Sequence, residues 1–274
     1  MTLTQVQSSV WTAKLLMALQ KSLVIAQRRV VNGDYQVELS SDGKEAYIHG
    51  LADVSIQNYS KYTALTVEQL TDTRQTFALD QQKAFAFQVD QVDVAQSKPE
   101  LVQSMMNQAG YLLVESADSY LGSLYGGGTS IGSALTITAT NVFTRILSAA
   151  TLLDKNNVPR EGRFLILSPD MLEFLLQNTP YQTAASESVL NGSVSRFMGF
   201  DVLVSNNIAK TGTSPTEVHH VLAGHPIAWT FASQIQQIES VRRHDMFVDV
   251  VKGLFTFGGK IVRPTALIDL MMQR

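Results

Sequence analysis

The chain has 274 residues, of which 45% are hydrophobic and only 16% charged, with a formal net charge of -3. That length suits one large domain or two modest ones with a sizeable core, and a charged fraction below the roughly 25% of an average soluble protein leaves a neutral, partly apolar surface that favours association. The absence of cysteine excludes disulfides, thiolate metal sites and a cysteine nucleophile, and no apolar run approaches the roughly 18 residues of a membrane-spanning helix.

Charge is uneven along the chain. No acidic residue precedes Asp34, whereas Lys14, Lys21, Arg28 and Arg29 do. Such a basic, acid-free segment with Ser8, Ser9 and Trp11 is compatible with a transit peptide; a basic arm that meets acidic neighbours or packaged nucleic acid fits the rest of the chain better. Trp11, Leu15, Ala18, Leu19 and Leu23 have helical spacing, which predicts a short helix reaching about Arg29 before Val30 and Val31. Asn32-Gly33-Asp34 and Ser41-Asp42-Gly43 bound a first strand at Tyr35, Val37 and Leu39.

From Ile48 to Asp93 the pattern is strand-like: Val54 and Ile56, Leu65 and Val67, Phe77 and Leu79, then Phe85, Phe87 and Val89. Asp80-Gln81-Gln82-Lys83 separates the last two runs and is expected as a hairpin tip. Neither glycine nor proline occurs between Leu51 and Lys98, and a long hairpin with open edges is an aggregation hazard unless another subunit covers it. Pro99 then opens a long helix running to Tyr125, apolar on more than one stripe, which Gly126-Gly127-Gly128 ends.

A glycine-rich flexible link leads to a second helix from Asn141 to about Lys155, with Thr140 the candidate cap. Phe164 to Leu167 reads as a short buried strand, and Ser168-Pro169 caps a helix through Leu176. Strands follow at Phe200 to Val204, Val218 to Ala223, Ile227 to Phe231 and Ile235 to Ile238, then at Leu254 to Phe257 and Lys260 to Val262 on either side of Gly258-Gly259. Pro264 is expected to begin a final short helix ending in Met271 and Met272.

Candidate chemical sites are weak. Gly128-Thr129-Ser130-Ile131-Gly132 has nucleophile-elbow spacing, but that motif needs a strand before and a helix after the serine, so a serine hydrolase is a remote alternative. The same glycines fail as a phosphate loop, because Ser133 stands at the required lysine position and Ile131 at the third Rossmann glycine. His219, His220 and His225 lack metal-ligand spacing, and adjacent strand residues point to opposite faces. Asp80, Asp90 and Asp93 form an acidic cluster that solvated charges or salt bridges to a neighbour's arm explain. Arg242-Arg243-His244 is too short for a nucleic-acid signature. No cofactor and no metal are expected.

Several ordered motifs carry a resemblance. Phe85-Ala86-Phe87-Gln88-Val89-Asp90-Gln91-Val92-Asp93-Val94-Ala95-Gln96-Ser97, Pro159-Arg160-Glu161-Gly162-Arg163 with Leu167-Ser168-Pro169, Arg196 to Asn207, and Asp249 to Gly253 with Phe257-Gly258 and Lys260 to Pro264 resemble, in that order, segments of the major capsid proteins of tailed phages that share the Hong Kong 97 fold, in its compact, insertion-free branch. Gln88 and Gln91 depart from commonly charged positions, and Phe257 from a usual tyrosine.

The resemblance implies an α+β Hong Kong 97-like capsid fold. It divides the chain into an amino-terminal arm and first strand (1–46), an extended β-hairpin loop (47–89), a peripheral domain with a long spine helix (90–135), an axial α/β domain (136–231) and a return to the peripheral domain (232–274). It implies self-assembly into pentamers and hexamers of an icosahedral head in the host cytoplasm, with packaged double-stranded DNA bound nonspecifically. Portal, scaffolding and decoration proteins would be further partners, scaffolding coming from another chain. An encapsulin-like nanocompartment is the alternative within the fold. Expected inter-subunit contacts are Trp11, Arg28, Arg29, Asp80, Gln81, Gln82, Lys83, Asp90 and Asp93. Some relatives crosslink lysine to asparagine; Lys83 lacks an identifiable acceptor, so no crosslinking is expected.

Overall fold

The computed structural model describes residues 24–34, 45–51, 58, 61–62, 72–90, 100–177, 196–214, 216–242 and 248–274. Trp11, Asp93, the strand expected at Tyr35 to Leu39 and those at Val54 to Val67 lie outside them.

Two strands, β1 (Glu45–Leu51) and β2 (Asp72–Ala78), form an antiparallel hairpin in which Glu45 faces Ala78 and Leu51 faces Asp72. The chain then enters β3 (Gln81–Asp90) and, beyond it, the spine helix α1 (Glu100–Ser123), 24 residues and thus about 36 Å long. A 3-10 turn at Leu124–Gly127 leads to the short strands β4 (Thr129–Ser130) and β5 (Leu135–Thr136), then α2 (Val142–Lys155), β6 (Phe164–Leu167) and α3 (Pro169–Leu176). The remaining strands are β7 (Arg196–Phe197), β8 (Phe200–Val204), β9 (Lys210–Thr211), β10 (Val218–Gly224), β11 (Trp229–Arg242), β12 (Val248–Ile261) and β13 (Leu267–Gln273).

These strands make three sheets. The largest is mixed and runs β4-β13-β10-β6-β8-β7, with β5 added to β13 and β9 to β10; a three-stranded antiparallel sheet runs β11-β12-β3; the hairpin stands by itself. In the large sheet every residue of β6 is buried, as a continuous apolar run requires when both faces are covered. Ile146, Ala149 and Leu153 of α2 and Met171 and Leu175 of α3 join the same core. Ser168 caps α3 by accepting a bond from the Met171 amide, with Pro169 in the first turn as expected.

Several expectations are corrected. Asp80–Lys83 is not a hairpin tip: β3 pairs with β12, placing Gln81 opposite Phe257 and Asp90 opposite Val248, and the tip lies between Leu51 and Asp72. The run is polar because β3 is an edge strand whose residues Gln82, Lys83 and Ala84 are exposed. Gly258-Gly259 does not separate two strands but lies inside one strand of 14 residues, where glycine admits neighbouring chain. The final segment is the strand β13, paired with β10 from Val218↔Gln273 to Gly224↔Leu267, because a segment buried on both faces has no periodicity that separates helix from strand.

Of the expected arm helix, residues 10–23 lie outside the described residues, and 24–30 runs through bends and a turn. Thr140 does not cap α2; Asn141 precedes the helix and its side chain accepts from the Thr138 amide instead. The glycine-rich link is packed: a Cβ on Gly127 would lie 2.8 Å from Ile261 Cδ1, and one on Gly128 2.9 Å from the Leu267 carbonyl.

Candidate assembly surfaces

The hairpin is the first candidate surface. Near its base Ile48, Phe77 and Leu79 pack with Ala232 and Val262 in a small cluster separate from the main core. Tyr47 is 40% exposed, and between the strands Tyr62 is 90% exposed with a left-handed φ of 71°; the Lys61 ammonium lies 5.1 Å from its ring centre. A β-carbon is disfavoured in that backbone region, and the ring there faces outward.

The end of the arm is the second. Residues 24–31 lie as a strap across the spine helix and the large core, with Ile25, Ala26, Val30 and Val31 buried. The Asp118 carboxylate of α1 accepts the Val24 amide at 2.9 Å and the Ala26 amide at 3.1 Å. Burial pushes the pKa of this carboxyl up, while the strap amides pull it down. The Trp229 indole donates to the Val30 carbonyl at 2.6 Å, and Asn32 makes a parallel bridge to Thr230. Arg28 and Arg29 are exposed, Arg29 donating to Gln27. The pairing expected of them is with the acidic cluster of a neighbouring subunit, which one subunit does not test.

The third surface lies along β3. Among the described residues β3 has one strand partner, β12, and beside its open edge a groove of about 450 Å³ runs between Phe85 and Phe87 of β3 and Met105, Ala109 and Leu112 of α1. Leu112 is more than half exposed there. An unpaired strand edge beside apolar pockets is the geometry of strand addition. Asp80, just before β3, is exposed and binds the Tyr120 hydroxyl at 3.0 and 3.1 Å; burial and this carboxylate push the tyrosine pKa up to about 12.

The candidate chemical residues do not assemble. Ser130 sits in β4 on β13, its hydroxyl 3.5 Å from the Gly132 carbonyl, and the next α-helix begins at Val142. His220 and His219 point to opposite sides of β10. His220 bonds Asp269 at 2.8 Å and Thr211 at 3.0 Å and stacks on Tyr125 with ring centres 3.6 Å apart. His219 lies 3.7 Å from Asp170. Among the described residues no cluster of three or more His, Asp or Glu is placed to hold a metal, and no helix is long and apolar enough to cross a membrane.

Residues missed in the sequence do the joining. Arg145 donates to the carbonyls of Ile131, Ser133 and Met271, tying α2 to the link and to β13; burial lowers its pKa. Arg163, 5% exposed at its side chain, donates to Pro159, Val158 and Asp154. Asp118 carried a legible signal: it falls four residues after Val114 and three before Leu121, on the buried face of a helix, where a lone acid requires bonding partners.

This body of helices and sheets with a protruding hairpin is the Hong Kong 97-like architecture of a shell subunit. Similar solved structures include that from Mycobacterium phage Che8 (TM-score 0.74, 27% identity, 88% of each chain covered) and the capsid of cyanophage P-SCSP1u (TM-score 0.71, 20% identity, 85% of this chain and 84% of the other). A virus-like particle from Pyrococcus furiosus aligns at TM-score 0.60 and 13% identity over 96% of this chain and 99% of the other. No curated protein sequence matches. The phage capsid protein family matches residues 72–270, and the chain belongs to it. It is a structural major capsid protein, which self-associates into the icosahedral capsid of a virion.

Proposed function

We propose that this capsid protein builds pentamers and hexamers that close around double-stranded DNA, that the β1–β2 hairpin and the basic arm make the contacts between subunits, and that it catalyses no reaction. The hairpin carries the proposal. It is a two-stranded sheet of its own, with no further strand paired to either side among the described residues. Two-stranded hairpins are marginal alone and open edges invite pairing, so a neighbour that covers them completes the subunit. The groove beside β3 is a complementary surface on that neighbour. Each contact is weak, and repetition around a closed shell multiplies it.

The division into arm, extended loop, peripheral and axial domains is retained as part of the proposal, with β3 bonded into the β11-β12 sheet and β13 into the large one. Trp11, Arg28 and Arg29 on the arm and Asp80 to Lys83, Asp90 and Asp93 around β3 remain the proposed contact residues. The arm's cations are also suited to nonspecific, salt-sensitive phosphate contacts. Portal, scaffolding and decoration proteins are proposed as further partners, with assembly in the host cytoplasm.

Negative-stain microscopy and size-exclusion chromatography of the purified chain test this. Closed particles or capsomers are expected, and a monomer at every concentration overturns the proposal. The likeness to the virus-like particle keeps a protein-enclosing shell as the second reading. Particles from expressing cells should carry nuclease-protected nucleic acid; a proteinaceous cargo without nucleic acid would favour that second reading.

A further inference from the structure

We propose that the base of the hairpin is a rigid bracket and that the Asp80–Tyr120 bond within it is a positioning contact, setting the angle at which the hairpin leaves the subunit and thereby the curvature of the shell; the second clause rests on the hairpin being an inter-subunit contact. Leu79 and Asp80 connect β2 to β3. There the chain crosses β12 one residue beyond the last β3 pairing, Gln81↔Phe257. The crossing is possible because residue 258 is glycine: a Cβ there would lie 2.3 Å from the Ala78 carbonyl oxygen and 3.0 Å from Leu79 Cα. Alternation along a strand turns the next residue to the other face. A Cβ on Gly259 would meet Leu121 at 2.8 Å and Leu124 at 3.1 Å. One glycine admits the hairpin, the other the spine helix.

Side chains then fix what the glycines admit. The Lys260 ammonium donates to the Thr76 carbonyl at 2.6 Å, holding β2 to β12. Leu79 and Phe77 pack with Ala232 and Val262. Tyr120 reaches from the spine helix to Asp80, its hydroxyl 3.0 and 3.1 Å from the two carboxylate oxygens, while its ring meets Phe257 edge-on with centres 5.6 Å apart. Neither glycine nor proline lies between Leu51 and Lys98, so the connection has no residue especially suited to absorb a hinge rotation. A hairpin held on three sides projects in one direction, and a change in that direction moves every neighbour it reaches.

The test uses the full chain carrying Tyr120→Phe, which keeps the ring against Phe257 and removes only the hydroxyl. Amide hydrogen exchange on the unassembled subunit is expected to quicken by about fivefold in β1 and β2 while α1 and β6 are unchanged, the effect of losing one hydrogen bond. Asp80→Ala should reproduce this and Asp80→Asn, which retains an acceptor, should largely restore protection. Unchanged hairpin exchange in Tyr120→Phe, or equal quickening throughout the subunit, overturns the bracket. Particle diameters by electron microscopy should broaden or shift for Tyr120→Phe and for Asp80→Ala and stay near the wild-type value for Asp80→Asn; identical diameters in all of them overturn the link to curvature. If the wild-type chain forms no shell, the assembly proposal and the curvature link fail, while the exchange result still decides the bracket.

Discussion

The large sheet and the β1–β2 hairpin are built by the same strand chemistry and end in opposite conditions. In the sheet, β6 is buried at every position and β10 at all but its first, since neighbouring strands take up the edges and helices take up a face. In the hairpin, the buried residues among those described, Ile48 and Phe77, belong to the cluster at its base, and no further strand pairs with it among the described residues. The sheet is finished within the subunit. In the proposed assembly a neighbour finishes the hairpin, and substitutions in the two regions should therefore separate stability from assembly.

The largest effect is expected at Trp229, fully buried, stacked on Phe164 with ring centres 6.0 Å apart and bonded to the strap through Val30. Trp229→Ala should cost about 3–5 kcal/mol in urea unfolding of the subunit. A loss below about 1 kcal/mol would place the stabilising core elsewhere and break the comparison.

Asp118→Ala comes next. It removes the acceptor for the Val24 and Ala26 amides, and an unmet buried donor costs about 1–3 kcal/mol. Because those amides can regain water if the strap lifts, the loss should appear in residues 24–26 by hydrogen exchange before it appears in global unfolding. Uniform loss of protection would show that the strap is part of the core and does not act as a separable attachment.

Acidification should produce a smaller, graded effect. Burial lowers the pKa of His219 and of His225. The unfolded chain therefore takes up protons that the native state resists, and stability falls as pH drops below the ordinary histidine value of 6.5. Asp118 and Asp269 act in the opposite sense. Burial raises both above the ordinary 3.8, so the native state binds protons first and part of the stability returns as pH falls through their folded values toward 3.8. Urea midpoints across this range should decline and then flatten; His219→Asn should remove part of the decline, and a midpoint that rises from pH 6.5 downward contradicts the assignment.

Local signals and distant ones were unequally legible in the sequence. The strand β6 and the cap of α3 were readable because Phe164 to Leu167 is a continuous apolar run followed at once by Ser168-Pro169. The spine helix was readable from Pro99 and three terminal glycines. The partner of β3 was not, since the residue facing Phe85 is Gly253 and nothing near either announces the other. Gly258-Gly259 read as a break between two strands because a close crossing and a strand break both select glycine. Of the candidate contacts, Asp80 is placed beside Tyr120 and Lys83 on an edge strand, relations that depend on residues far along the chain.

The smallest effect on the subunit, and the clearest separation of the two regions, is expected at Tyr62. Its left-handed backbone costs the isolated chain about 1–2 kcal/mol relative to a residue without a β-carbon, and its side chain is 90% exposed. Tyr62→Gly removes the steric penalty but enlarges the freedom of the unfolded chain, which offsets part of the gain. The net change in unfolding free energy should be within about 1 kcal/mol of zero. Shell yield should nevertheless fall, because an exposed aromatic ring is the kind of group that anchors an interface. Tyr62→Phe separates ring from hydroxyl: recovery of assembly assigns the contact to the apolar ring. If Tyr62→Gly assembles as well as the wild type, the hairpin's contact lies along its strands, and the tyrosine is not an anchor.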